Sequence, residues 1–106
     1  MEKYFYGLKG HPIGFIKAER VYDLYGKALG WVDGLSVYGK TGTFVGRLYV
    51  VGENHYILKF ILDLQPLPLQ PREIPNLSPV EFEIRHVENI DPIEVPPGYV
   101  DSFQSS

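Results

Sequence analysis

A chain of 106 residues, 44% hydrophobic and 22% charged, is long enough for one domain with one modest core. It has no Cys, which excludes disulfides and thiolate metal sites, and no apolar run long enough for a membrane-spanning helix. The net charge of −3 is uneven: residues 1–62 hold eight Lys and Arg against five Asp and Glu, and residues 63–106 hold two against eight. A basic body is therefore followed by an acidic segment expected to lie against it.

The chain opens on Met1-Glu2-Lys3-Tyr4, without the apolar run of a signal peptide, which predicts a cytoplasmic location and no membrane association. Aromatics make up 14% of the residues, mostly as eight Tyr and six Phe. With this much Tyr, Phe and Gly the chain reads as all-β, and no segment reads as a helix. From Tyr6 to Leu48 it repeats every 16 residues. Tyr6, Tyr22 and Tyr38 align; so do Gly10, Gly26 and Gly42, and then Gly14, Gly30 and Gly46. Two apolar columns run between them: Ile13, Leu29 and Val45, and Ile16, Val32 and Leu48.

Each unit reads as strand, tight turn, strand, tight turn. In the second copy Arg20-Val21-Tyr22 is a short strand, and Asp23-Leu24-Tyr25-Gly26 suits a type I turn. The Asp carboxylate accepts a backbone N–H there, and Gly takes the left-handed conformation that closes a hairpin through a bulge. Ala28 to Val32 returns, and Asp33-Gly34 signals the next turn. Gly14, Gly30 and Gly46 fall in mid-strand, where Gly marks a bend or the close approach of another backbone, so the copies are expected to converge around a common axis. Strict alternation would put Ile13 and Phe15 on one face, and Leu29 and Trp31 on the equivalent face. The third copy runs on as a long strand from Phe44 to Val51, turns at Gly52-Glu53-Asn54, and returns from His55 to Leu62 with the period lost, as terminal units of repeat arrays often do.

The domain expected is a single one over residues 1–106. Residues 1–62 form three to four tandem hairpins arranged radially, and residues 63–79 a proline-rich extended crossover, since Leu64 to Pro71 alternates Pro with Leu and Gln. Residues 80–106 supply an edge strand and an irregular tail. The strand is read from Val80 to Val87, where apolar and polar residues alternate. It would be the eighth strand, completing a fourth hairpin.

The units Val21-Tyr22-Asp23-Leu24-Tyr25-Gly26-Lys27 and Leu29-Gly30-Trp31 resemble the repeats of the bacterial four-fold beta flower proteins, tandem hairpins with a Tyr-Asp-x-x-Gly-Arg/Lys turn and a Gly-Trp/Phe return strand. The resemblance covers residues 4–62. The first and third copies depart from it, with Gly7 and Gly39 in place of the Asp. It implies a radial set of β-hairpins and no activity. Similar Tyr/Gly hairpin spacing occurs, at longer periods, in YD repeats of secreted toxins and in choline-binding repeats.

Little in the chain points to chemistry. His11, His55 and His86 have no ligand spacing for a metal, and turn chemistry accounts for Asp23 and Asp33. Ser36 is the sole serine within the repeats and has no nucleophile motif around it. Gly39-Lys40-Thr41-Gly42 leads into a strand and not a helix, so it reads as a turn and not a phosphate loop. The chain is therefore read as a non-enzymatic structural or interaction module without cofactor, engaging itself or a protein partner. The alternative is a ligand-binding module in which Tyr22, Tyr25, Trp31 and Tyr38 stack on a glycan or on single-stranded nucleic acid, nucleic acid being the less favoured. Against that, a small β fold needs large rings simply to fill its core. Arg47, in the column of Phe15 and Trp31, predicts a partly exposed position.

Overall fold

The computed structural model describes residues 2–61, 73–75 and 86–103. Among the described residues the chain forms eight strands: β1 (Lys3–Tyr6), β2 (Pro12–Lys17), β3 (Arg20–Asp23), β4 (Ala28–Asp33), β5 (Ser36–Gly39), β6 (Phe44–Val51), β7 (Asn54–Phe60) and β8 (Tyr99–Asp101). Each pairs antiparallel with the next, and β1 also pairs with β7 through Phe5 and His55. The first seven strands thus close into a barrel. Because a meander alternates direction, its first and seventh strands run the same way, and this closing pair is parallel. The all-β reading holds.

Two families of turn build the meander. At one end of the barrel, Gly10, Gly26 and Gly42 adopt φ of +94°, +89° and +86°. Each donates its N–H to the carbonyl three residues back, at Gly7, Asp23 and Gly39. In the second copy the Asp23 carboxylate accepts from the N–H groups of Tyr25 and Lys27, both at 2.9 Å, which is the side-chain turn chemistry its sequence suggests. At the other end the loops are two residues long: Ala18-Glu19, Gly34-Leu35 and Gly52-Glu53. The repeat persists in their bonding, since Val32 donates to Glu19 and, 16 residues on, Leu48 donates to Leu35, each at 2.8 Å.

A β-bulge follows every glycine turn. Tyr6 pairs with Pro12 and Phe5 with Gly14, so Ile13 is left over; Leu29 and Val45 are left over in the same way. The extra residue breaks the period of two. Ile13 and Leu29 pack in the interior with Phe5, Val21, Val32, Val37 and Ile57, whereas Phe15 belongs to a separate cluster with Tyr22 and Ala28. The expected common face of Ile13 and Phe15 is thereby corrected.

The mid-strand glycines are sites of close approach. A Cβ on Gly14 would run into the Tyr22 carbonyl oxygen, and one on Gly30 into that of Tyr38. On Gly46 it would meet the Leu58 carbonyl oxygen at 2.7 Å and the Ser102 hydroxyl. The backbone that comes close belongs in each case to the strand that follows.

The predicted crossover at 63–79 lies, apart from residues 73–75, outside the described residues, and so do residues 80–85 of the predicted late strand; residues 86 and 87 carry no strand. The eighth strand is Tyr99–Asp101 instead, in the stretch read as irregular. Gly98, at φ +102°, precedes it as Gly10, Gly26 and Gly42 precede the other return strands, and its carbonyl accepts from Ile61 at 2.7 Å. β7 and β8 form a fourth hairpin whose strands are separated by residues 61–98. Three strand residues behind Pro96-Pro97-Gly98 are too few for alternation to register.

Candidate functional site

Aromatic rings recur along β1 to β6, several of them buried, and register decides which rings meet. Phe15 lies opposite Tyr22 and Trp31 opposite Tyr38. Both pairs stack, with centroids 5.1 and 5.5 Å apart and interplanar angles of 21°. Tyr4 meets the edge of Phe15, and Phe44 the edge of Tyr38. Tyr22 and Trp31 are each only 6% exposed, Tyr38 is half-buried, and Tyr25 on its turn is 49% exposed. The four rings singled out in the sequence are therefore divided: Tyr22 with Phe15, Trp31 with Tyr38, and Tyr25 apart on the hairpin tip. Arg47 is exposed, with its guanidinium 5.9 Å from the centre of the Phe44 ring.

The histidines are dispersed. The His11 ring packs where a side chain on Gly7 would stand. His55 sits at the closing pair of the barrel, and burial, with Lys3 nearby, holds its pKa below the ordinary value. His86 is exposed. Among the described residues no three His, Cys, Asp or Glu converge to hold a metal.

A second region was not foreseen. Beyond residue 88 the chain folds back as an arm. Ile90 and Ile93 donate to the carbonyls of Gly10 and Leu8 at 2.8 and 3.0 Å, which sets the segment carrying Glu88, Asp91 and Glu94 against the turn that bears Lys9. The Asp101 carboxylate accepts from the Leu8 N–H at 3.2 and 3.3 Å. Ser102 donates its N–H to Ile57 and its hydroxyl to Val45, and the Phe103 ring lies 6.3 Å from that of Phe5.

Burial raises the Asp101 pKa above the ordinary range; the Leu8 N–H and the neighbouring His11 act in the opposite direction. The folded chain therefore holds this proton more tightly than the unfolded chain. Between the ordinary Asp value and the raised one, stability falls as pH rises; above that window the deficit is constant. Asp101→Asn is expected to abolish this slope in denaturant titrations run from about pH 4 to about pH 7. Asp101→Ala leaves the Leu8 N–H without its acceptor and is expected to cost about 1–2 kcal/mol. An unaltered pH slope in the Asn variant would assign the effect to another group.

Between the arm and the outer face of β6 and β7 lies a cleft in two compartments. One, about 520 Å³, is lined by Gly52, Asn54, Tyr56, Asn89 and Asp91. The other, about 170 Å³, is lined by Tyr49, Leu58, Val95, Pro96 and Tyr99. Val51 and Ile93 line both. Tyr99 is held edge-on to Tyr49 and tilted against Phe60. Tyr56 is 1% exposed, and its hydroxyl is buried without a hydrogen-bond partner. Burial, and Tyr6 nearby, raise its pKa. The arm half of this cleft could have been suspected from the apolar spacing of Ile90, Ile93 and Val95; its docking on β7 could not.

The model of the 4-fold beta flower protein family matches residues 1–98. The chain belongs to the 4-fold beta flower family. The match runs past the repeats, through the arm and up to Gly98, so in this beta flower protein the returning segment is part of the family pattern and not an appendage. No curated protein and no solved structure matches the chain. The beta flower assignment agrees with the closed all-β barrel and brings no activity with it.

Proposed function

We propose that this beta flower protein is a non-enzymatic interaction module that associates with a second copy of itself. The reading rests on one observation. The barrel end formed by Gly34-Leu35 and Gly52-Glu53 exposes Leu35 at 66% and Val50 at 57%, with Val51 beside them. Branched aliphatic side chains gathered at one end of a small barrel suit a contact surface. Three polar side chains hold the fold: Asp23 in its turn, Asp101 on Leu8, and Ser102 on Val45.

Sedimentation velocity over a concentration series tests the proposal. The native chain is expected to move toward the dimer mass, and Leu35→Lys/Val50→Lys to weaken association by at least about tenfold with an unchanged Tm. A native chain that stays monomeric up to about 1 mM would refute it.

A further inference from the structure

We propose that the cleft between the β6–β7 face and the arm from Asn89 to Tyr99 binds a small arylalkylamine-like molecule, with its ring in the apolar compartment and its amine in the polar one. The site is separate from the exposed barrel end, apart from Val51 at its margin.

Three observations carry the inference. The first is size: the apolar compartment of about 170 Å³ is close to a cavity of about 150 Å³ that accepts a benzene ring. Its walls are aromatic and aliphatic, with Tyr49 and Tyr99 packed edge to face on one side. The second is the charge of the polar compartment. Among the described residues Asn54, Asn89 and Asp91 line it and no Lys, Arg or His does, so a head that donates hydrogen bonds is favoured and an anion is not. The third is continuity. Shared walls at Val51 and Ile93 make the two compartments one elongated, amphipathic site.

Titration of the full chain, followed by amide NMR, with phenethylamine as probe provides the test. Saturable shifts are expected, centred on Gly52, Asn54 and Ile93. Phenylacetate, with the same ring and an anionic head, and ethylamine, with the head alone, are each expected to bind at least about tenfold more weakly. Val51→Lys, on an exposed side chain that borders both compartments, is expected to abolish binding with Tm unchanged. The proposal is overturned if phenethylamine shows no saturation, if phenylacetate binds as well, or if binding survives in Val51→Lys.

Discussion

Gly30→Val is expected to lower the melting temperature by about 10–20 °C, while Gly34→Asn melts close to the native protein. The contrast isolates space from backbone conformation. Gly30 carries no positive φ, yet a Cβ there would occupy the place of the Tyr38 carbonyl oxygen and come within 3.1 Å of the Gly39 Cα. Backbone cannot move aside as a flexible side chain can, and it is held by the β4–β5 ladder on both sides of the contact. Overpacking of this kind costs about 3 kcal/mol or more, and a branched side chain lies at the upper end. A domain with a total stability of about 5–15 kcal/mol loses much of it. Gly34 has the opposite character: φ is +65° and nothing lies within 4 Å of its would-be Cβ. Asn tolerates the left-handed region, so its cost should stay below about 1 kcal/mol. Equal melting temperatures for the two variants would remove the steric explanation for the repeated glycine column.

A chain ending after Leu62 should give an aggregating product without a cooperative transition. Such a fragment keeps the seven strands of the barrel and loses the cover over its seam. β1 meets β7 at one registered pair, Phe5 with His55. The rest of that side of β7 is covered by β8, through Leu58 with Asp101, Lys59 with Val100 and Phe60 with Tyr99. Removing the arm uncovers Tyr56 and Leu58, buried at 1% and 4%, and takes away Phe103, which packs on the core. It also removes the bonds of Ile90, Ile93, Asp101 and Ser102. Loss of the half-buried Phe103 is worth about 1–2 kcal/mol, with about 1 kcal/mol for each hydrogen bond. A monomeric fragment of residues 1–62 with a sharp denaturant transition would show that the barrel closes unaided.

What was legible in the sequence is the part governed by local backbone chemistry. Asp23 and Gly26 specify a turn within four residues, and the same bonds form in the protein. The glycine column at 14, 30 and 46 announces a close approach because no other residue fits. The bulge at Ile13, Leu29 and Val45 was visible as an aligned apolar column but not interpretable. Alternation predicts faces only where pairing is unbroken, and the break is a property of two strands together. β8 was missed because its three residues become a strand through β7, not through any propensity of their own. The cleft was missed for the same reason: one wall is β7 and the other comes from residues 89–99, with nothing local to tie them. The acidic second half did point to contact with the basic first, and the arm lies on the turn that bears Lys9.

The bond from Ile61 to Gly98 has a consequence for how such a barrel can change over time. It fixes the two ends of the fourth hairpin at hydrogen-bond distance, so everything from residue 62 to residue 97 is, topologically, one hairpin loop. Lengthening a loop from a few residues to several dozen is roughly three doublings, about 2 kcal/mol in closure entropy. The other three glycine turns admit no such change, since each is locked by its own bonds within four residues. Insertions and deletions between Ile61 and the start of the arm therefore leave strand register untouched, and a new surface can be grafted there while the barrel and its arm are kept.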